Sequence, residues 1–341
     1  MARVAVVFTG GTISMGYDPV AGGNVPALDG AAILARTPGL ETIADIVPID
    51  RGLTPASHLT FEDVLEIGRV VQEALDDPSI DGVVVVQGTD TIEETSFAWD
   101  LVLRSIKPVV VTGAMRAPHE DGFDGPANLR DAVAAAVSPE LRHAGVVVTL
   151  AGTLQPADDV TKLHTTAFTA FASPNGGTLG RVVDGGVAVD RPRAPRRRLL
   201  TVPPGGARVH LLTAGIGSDG SLLDAAVGAG AEGIVVAATG AGNSAPGWLE
   251  AAERAMAAGV VVALASRCPA GAVSTAYAFP GGGATWVRAG ALRVGTLCAI
   301  KARVALALGL GAGLPREALA ALLADPVRRE SAPPDSPEPL R

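Results

Sequence analysis

Cysteine, aromatic residues and long apolar runs are all scarce in this 341-residue sequence. The two cysteines, Cys268 and Cys298, stand in apolar surroundings, so we expect reduced, buried thiols rather than a disulfide framework. The sequence has no run of about 18 apolar residues free of charge and glycine, which argues against a membrane-spanning helix. A net charge of −8 argues against nucleic acid or an anionic membrane as the main partner. The first strand is predicted to begin by Arg3, so we expect no signal peptide and a cytoplasmic protein.

Several catalytic and cofactor motifs are missing as well. There is no phosphate-binding G-x-x-x-x-G-K-[ST] motif and no G-x-S-x-G nucleophile turn. The five histidines do not have the spacing of metal ligands, and we expect no metal site. A formal G-x-G-x-x-G occurs at residues 215–220, but it is a weak match in a chain with 42 glycines. We therefore expect no nucleotide and no other cofactor.

Valine, alanine and glycine are abundant, and they occur in alternating apolar and helical segments. Strands are predicted at residues 4–8, 46–49, 83–86, 109–112 and 146–150, with helices at 61–75, 91–104 and 128–137 between them. Valine-rich strands separated by helices indicate a parallel sheet that is covered on both faces. The sequence thus predicts an α/β fold, with a larger N-terminal domain built on a doubly wound, mostly parallel sheet and a smaller C-terminal α/β domain.

The domain bounds follow from changes in composition. We predict an N-terminal catalytic domain at residues 1–189, a linker at 190–207, a C-terminal domain at 208–325 and a disordered, proline-rich tail at 326–341. The linker contains the arginine-rich run RPRAPRRR at 191–198, which we expect to be solvated.

Three loops follow predicted parallel strands, at residues 9–14, 87–91 and 113–116. In open parallel sheets, ligands bind beyond the carboxyl ends of the strands. Glycines let backbone N–H groups come close to a ligand, and the start of the next helix favours an anion. These loops therefore predict one shared site, for which a phosphate and a carboxylate both remain candidates.

Hydroxyl groups and one lysine are the reactive groups near these loops. Thr12 and Thr89 each lie in a glycine-containing loop, Asp90 follows Thr89, and Lys162 lies among polar residues. A threonine hydroxyl is a poor nucleophile unless a neighbouring base takes its proton. Lysine can be that base when its pKa is lowered, and Asp90 could orient the lysine or bind a substrate ammonium group. Together these residues favour a catalytic site.

The motifs TGGTI (9–13) and QGTDTIEET (87–95) resemble the signatures of the bacterial-type asparaginase/glutaminase family. The similarity continues in order through KPVVVTGAMR, DGPANL, DVTKLHTT, GAGN and SRCPAG, and covers residues 3–323. The resemblance implies an L-asparagine amidohydrolase that forms an acyl-threonine intermediate and has possible side activity on L-glutamine. It also implies a homo-oligomer, a dimer or a tetramer of close dimers, with sites at the subunit interface.

The resemblance further implies the roles of individual residues. Thr12 would be the nucleophile, while Thr89, Asp90 and Lys162 would form a second catalytic group, with Asp90 also binding the substrate ammonium. The remaining substrate contacts would come from the backbone near Gly11 and Gly88, from Ala114, and from Asn243 reaching the neighbouring subunit's site.

Three positions depart from the family pattern. The tyrosine of the flexible loop after TGGTI is replaced by Asn24, although Tyr17 lies on the same loop and could substitute within this predicted lid. The serine that binds the substrate carboxylate maps to Ala56, with Ser57 next to it. The acidic residue contributed by the partner subunit maps near Ala278. The preference between asparagine and glutamine, and the residue that assists Thr12, therefore stay open.

Two other functions are compatible with the fold. A non-catalytic amino-acid sensor would explain the lost tyrosine and serine, but it would have little reason to keep Thr12, Thr89, Asp90 and Lys162 together. An ammonia-generating amidotransferase relative would carry an additional N-terminal domain, whereas this sequence starts at its first predicted strand.

Overall fold

The computed structural model describes residues 1–193 and 196–325, so the predicted tail at 326–341 lies outside the described residues. The strands within these ranges are β1 (Arg3–Phe8), β2 (Met15–Asp18), β3 (Gly23–Pro26), β4 (Asp45–Asp50), β5 (Gly82–Val86), β6 (Val109–Thr112), β7 (Val146–Leu150), β8 (Thr153–Pro156), β9 (Thr161–Lys162), β10 (Phe171–Ala172), β11 (Gly180–Val183), β12 (Gly186–Val189), β13 (Val209–Thr213), β14 (Gly233–Ala238), β15 (Val261–Ser266) and β16 (Leu292–Arg293). The helices are α1 (Gly30–Ala35), α2 (Phe61–Asp76), α3 (Ile92–Val102), α4 (Gly125–Val137), α5 (Ser221–Gly228), α6 (Pro246–Ala257), α7 (Gly283–Ala289), α8 (Ala299–Gly311) and α9 (Arg316–Leu323).

The larger sheet has eight strands in the order β12-β11-β8-β7-β6-β5-β1-β4. Its strands β4, β1, β5, β6 and β7 are parallel, and β8, β11 and β12 extend it in antiparallel pairings. Numbered along the chain, the parallel strands lie in the order 2-1-3-4-5, so the winding direction reverses between β1 and β5. Doubly wound folds bind ligands beyond the carboxyl ends of the strands at such a reversal. The loops after β1 and β5 therefore lie where a ligand site is expected.

Both faces of this sheet are buried, which explains its valine-rich strands. Within β5, Val83 and Val85 belong to an apolar cluster that includes α2 and α3, whereas Val84 and Val86 belong to the cluster on the opposite face that includes α4. Successive side chains of a strand point to opposite faces, so a strand that is covered on both sides needs an apolar residue at every position.

The smaller sheet consists of four parallel strands in the order β13-β14-β15-β16. One face packs against α5, α6 and α7, and the other packs against α8. Helix α8 also packs on α3 of the larger domain, so a single apolar core runs from one domain into the other. The two-domain α/β architecture confirms the predicted fold class.

Two local predictions are wrong. Three arginines of the run at 191–198 are buried in ion pairs instead of solvated: Arg193 with Asp100 (2.7 Å) and Asp158 (3.0 Å), Arg196 with Asp100 (2.9 Å), and Arg197 with Asp325 (3.1 Å). The carboxylates that neutralise them lie far away in sequence, so local composition gave no sign of this burial. Both cysteines are free, but neither is buried as predicted: Cys268 is exposed and Cys298 is half-buried.

Two features of the described residues bear on ligands and membranes. None of the helices in residues 1–193 and 196–325 has the length and apolar character that crossing a bilayer requires. The same part of the chain contains no cluster of three or more histidine, cysteine or carboxylate side chains arranged to hold a metal ion.

Candidate active site

The two glycine–threonine loops touch each other beyond the carboxyl ends of β1 and β5. Thr9 N donates a hydrogen bond to Val86 O (3.0 Å), which ties the first loop to the end of β5. Gly11 has a φ of 98°, and a Cβ at this position would lie only 2.2 Å from Gly88 N. Only glycine satisfies both the backbone angle and the close approach. The first loop thus lies against the segment that leads to Thr89.

Thr12 begins a short 3₁₀ turn, Thr12–Ser14, and its side chain is half-buried. The turn is closed by Ser14, whose backbone N–H and hydroxyl both donate to Gly11 O (2.9 and 2.7 Å). None of the hydrogen bonds found within residues 1–193 and 196–325 uses the Thr12 hydroxyl. The backbone is therefore fixed while the hydroxyl stays available to a ligand.

Lys162 joins Thr89 and Asp90 into one polar group. Its Nζ donates to Thr89 Oγ1 and to Asp90 Oδ1, both at 2.9 Å. The three groups differ in their access to solvent: Thr89 is 5% exposed, whereas the Asp90 side chain is 71% exposed. Thr89 and Lys162 thus form a mostly shielded hydroxyl–amine pair, and the Asp90 carboxylate can still accept hydrogen bonds from a ligand ammonium.

The third loop, residues 113–116, packs against the second. Ala114 is fully buried, and a Cβ at Gly113 would lie 2.5 Å from Gln87 O. The loop is held by Asp124, whose carboxylate accepts from Met115 N and Arg116 N (3.0 Å each).

Asn128 completes this support. Its Nδ2 donates to Gly113 O (3.0 Å), and its Oδ1 accepts from Ala151 N (3.1 Å). Neither Asp124 nor Asn128 was among the predicted site residues. Both lie in the motif DGPANL. In that motif a carboxylate and an amide stand four residues apart at the start of a helix, and this spacing is the sequence pattern that could have indicated a supporting pair.

Ala56 and Ser57 lie on the 3₁₀ turn Ala56–His58 but have different surroundings. Ala56 is buried, and its carbonyl accepts a hydrogen bond from Thr91 Oγ1 (3.1 Å). Its side chain lies close to Gly88, since a Cβ added to Gly88 would be 2.8 Å from Ala56 Cβ. Ser57 is exposed and lines a cavity of about 380 Å³ that also contains Glu94 and Arg303. Ala56 is therefore the residue of this pair that lies against the second loop.

Tyr17 and Asn24 face each other across the hairpin β2–β3. They are paired in its register, and Tyr17 is 57% exposed with its ring centroid 5.7 Å from that of His119. The hairpin is attached at its base, where Ala27 N and Leu28 N donate to Ser14 O (2.9 and 2.8 Å). Directly opposed residues of an antiparallel pair lie on the same face, so both candidates for assisting Thr12 belong to one face of the predicted lid.

Asn243 lies in the smaller domain, in the turn after β14. Its backbone pairs with Thr239, and its Oδ1 accepts from Gly283 N (3.3 Å). Contact with a neighbouring subunit's site stays a prediction for this residue.

The loop at residues 215–220 has one glycine, Gly220, in close packing contact with a helix. A Cβ at Gly220 would lie 2.4 Å from Ala251 Cβ and from Gly247 O, so this glycine permits the close approach of the loop to α6. Ser218 Oγ accepts from Gly215 N (2.8 Å) and stabilises the turn. Packing against α6 thus accounts for Gly220, while Gly217 takes a positive φ of 73° in the turn.

Comparison with known proteins gives the same pattern over nearly the whole chain. Residues 3–195 match the family model described as "Asparaginase, N-terminal", and residues 208–323 match the "Glutaminase/Asparaginase C-terminal domain". A probable L-asparaginase of Deinococcus radiodurans is 35% identical over 329 residues, which cover 93% of this chain and 95% of the relative. A glutaminase-asparaginase of Pseudomonas fluorescens biotype A is 35% identical over 195 residues, or 54% of this chain and 52% of the relative.

A solved structure supports the likeness in three dimensions. The crystal structure of a probable cytoplasmic L-asparaginase from Campylobacter jejuni has a TM-score of 0.84 and 29% identity, covering 95% of this chain and all of that one (100%). The two family models match in chain order, and the first relative is similar over nearly its full length. The protein therefore belongs to the asparaginase family, as its motifs predicted.

Proposed function

We propose that this protein hydrolyses the side-chain amide of L-asparagine to L-aspartate and ammonia, with side activity on L-glutamine. The observation that carries the proposal is the group formed by Lys162, Thr89 and Asp90 beside the loop of Thr12. In the described part of the chain the Thr12 hydroxyl has no hydrogen-bond partner, and its loop touches the loop that leads to the shielded Thr89–Lys162 pair and the exposed Asp90 carboxylate. An α-amino acid amide offers a partner for each of these groups. The names of the relatives, L-asparaginase and glutaminase-asparaginase, support the same substrates.

In the proposed mechanism, Thr12 Oγ1 attacks the amide carbon of the substrate. Its proton passes through the Thr89–Lys162 pair to the amide nitrogen, which leaves as ammonia, and an ester with Thr12 remains. Water then attacks the ester carbon, gives a proton to the same pair, and releases aspartate as Thr12 regains its proton. Backbone N–H groups near Gly11 and Gly88 stabilise the developing oxyanion, and Asp90 binds the substrate ammonium.

Two threonines are needed in this scheme, so two alanine variants test it. Ammonia release should be measured on L-asparagine, D-asparagine and L-glutamine with the wild type, Thr12→Ala and Thr89→Ala. Thr42→Ala is the control, because it also removes a threonine hydroxyl from a 3₁₀ turn but lies outside the proposed site; unlike that of Thr12, the Thr42 hydroxyl donates to a backbone carbonyl, Gly39 O (2.7 Å).

We expect Thr12→Ala and Thr89→Ala to lose turnover while folding normally, and Thr42→Ala to keep it. Normal turnover in Thr12→Ala would refute the acyl-threonine mechanism. Saturable binding of asparagine by a wild-type protein that releases no ammonia would favour the amino-acid sensor instead.

We further propose a homo-oligomer in which Asn243 completes the neighbouring subunit's site. The test is complementation: Thr12→Ala and Asn243→Ala subunits are produced separately and together. Mixed oligomers contain some sites with intact Thr12 and intact Asn243, so activity should reappear only on co-expression. No recovery in proven mixed oligomers would contradict the shared site.

Two free cysteines agree with the reducing cytoplasm, which we propose as the compartment.

A further inference from the structure

Lys301 is a fully buried lysine that the proposed mechanism does not use. It lies on α8 of the smaller domain and is 0% exposed. Its ammonium donates to the backbone carbonyl of Val160, two residues before Lys162. A lysine is rarely buried completely unless its charge and donors are satisfied, because taking an ammonium out of water is costly. The smaller domain therefore contacts the segment that carries Lys162 through a charged side chain.

Glu93 is a second buried charged residue near the same segment. It lies in the first turn of α3, four residues after Thr89, and is 8% exposed. Burial, with a smaller effect of the neighbouring Glu94, raises the pKa of the Glu93 carboxyl, while the charge of Lys301 and the nearby Lys162 backbone N–H and Thr161 hydroxyl oppose that rise. Within the described part of the chain, Glu93 Oε2 has no hydrogen-bond partner. The buried Glu93 carboxyl group thus lies within the electrostatic influence of Lys301, whose own ammonium binds the Val160 carbonyl.

We propose that Lys301 and Glu93 are positioning residues that hold the backbone at residues 160–162, so that Lys162 Nζ reaches Thr89 and Asp90. This inference rests on the proposed catalytic role of Lys162. The long, flexible lysine side chain must end within 2.9 Å of two oxygens, and this requires a fixed starting point. Helix α3 follows directly on the Thr89 loop and also carries Glu93, so one rigid element sets both ends of the Lys162–Thr89 contact.

A second lysine provides a matched control. The chain has three lysines, and Lys107 also donates to backbone carbonyls, those of Leu75 (2.6 Å) and Asp77 (2.7 Å). Lys107 lies just before β6, so these contacts are at the amino-terminal ends of the parallel strands. The candidate active site lies beyond the carboxyl ends of the same strands. Lys107→Met removes the same kind of bond as Lys301→Met, but far from Lys162.

The experiment measures kcat for ammonia release from L-asparagine, corrected for the folded fraction determined by circular dichroism. Lys301→Met and Glu93→Gln are each made in the wild type and in Lys162→Met. Misplacement of a catalytic group by about 1 Å can lower the rate by roughly a hundredfold. We expect each variant to lower kcat by about tenfold to a hundredfold in the wild type, and to have no further effect once Lys162 is absent. Lys107→Met should keep the wild-type kcat.

A purely structural role predicts a different pattern. Lys301→Met would then lower the residual activity of Lys162→Met by the same factor as in the wild type, and this result would overturn the inference. Unchanged kcat in both Lys301→Met and Glu93→Gln would do the same. If Lys301→Met fails to fold, the same comparison is made with Glu93→Gln alone, in the wild type and in Lys162→Met, because glutamine has nearly the shape of glutamate.

The proposed function fails in a separate way. A wild type without ammonia release, or Lys162→Met with full activity, would contradict the catalytic role of Lys162. If those two proteins behave as proposed and the Lys301 and Glu93 variants keep wild-type kcat, only the positioning role is wrong.

Discussion

Gly11 is the residue at which the two glycine–threonine loops touch, and Gly11→Ala tests how closely they must approach. The new Cβ would lie 2.2 Å from Gly88 N, whereas ordinary contact begins near 3.4 Å, so the loops would have to separate by roughly 1 Å. The backbone at Gly11 (φ 98°, ψ −174°) adds strain, since a side chain in such a conformation costs about 1–3 kcal/mol.

The separation would displace Thr12 relative to Thr89. A shift of about 1 Å in a reacting group can cost roughly a hundredfold in rate, so we expect kcat for ammonia release to fall by about that factor. Strain and overpacking together should lower the free energy of unfolding by at least about 2 kcal/mol. The measurements are steady-state kinetics on L-asparagine and urea unfolding of the same preparations.

Gly39→Ala is the control for backbone strain alone. Gly39 also has a positive φ, 92°, but with a ψ of −5° in the left-handed helical region, and a Cβ there would meet no atom within 4 Å. This variant should lose about 1–2 kcal/mol of stability and keep the wild-type kcat. If Gly11→Ala also keeps the wild-type kcat, or is destabilised no more than Gly39→Ala, the close contact of the two loops is not what positions Thr12.

Three further predictions concern the same region. Lys162→Met should lower kcat by about 10²–10⁴-fold without loss of folding, and a loss below threefold would contradict its role as base. Ala56→Ser should lower KM for asparagine by about tenfold to a hundredfold, because a hydroxyl bonded to a carboxylate contributes about 1.5–3 kcal/mol. Ser57→Ala should leave KM unchanged, and a raised KM in Ser57→Ala with no change in Ala56→Ser would assign the contact to Ser57. Burial raises the pKa of Asp158, but two neighbouring arginines outweigh it and leave that pKa below its usual value. A depressed pKa stabilises the fold above about pH 4, and this contribution is lost as the pH falls through the folded-state pKa. Asp158→Asn should therefore be less stable at pH 7 and show a flatter loss of stability below pH 4 in urea unfolding.

Elements that are buried on both faces could be predicted closely from sequence. The strands expected at residues 109–112 and 146–150 occur as Val109–Thr112 and Val146–Leu150, since continuous valine runs have few alternatives to a covered parallel strand. Helix α2 begins at Phe61, where Thr60 and Asp63 form a capping box.

Segments that depend on distant partners could not be predicted. The hairpin β2–β3 has little apolar alternation, and its strands are short, polar and rich in glycine. The arginine-rich composition of the linker predicted a solvated segment, yet Arg193 is buried because Asp100 and Asp158 neutralise its charge. The sequence motifs placed Thr12 and Thr89 beyond the carboxyl ends of two parallel strands. The contact between their loops also requires that β1 lies next to β5. This pairing is a property of the sheet order, which alternating apolar segments do not determine.

The same buried ion pairs bear on how Lys162 is held. Asp158 shares Arg193 with Asp100, near the end of α3, while Glu93 faces Thr161 and Lys162 near its start. The chain turns at residues 157–159, where Asp159 N and Val160 N both donate to Pro156 O (3.1 and 2.9 Å). Arg193 binds the side chain of Asp158 in this turn, and Lys301 binds the carbonyl of Val160 just after it, so the segment is held on both sides of the turn before it reaches Lys162. The linker supplies Arg193 and α8 supplies Lys301, so the connection between the domains contributes to holding the segment that carries Lys162, the proposed base.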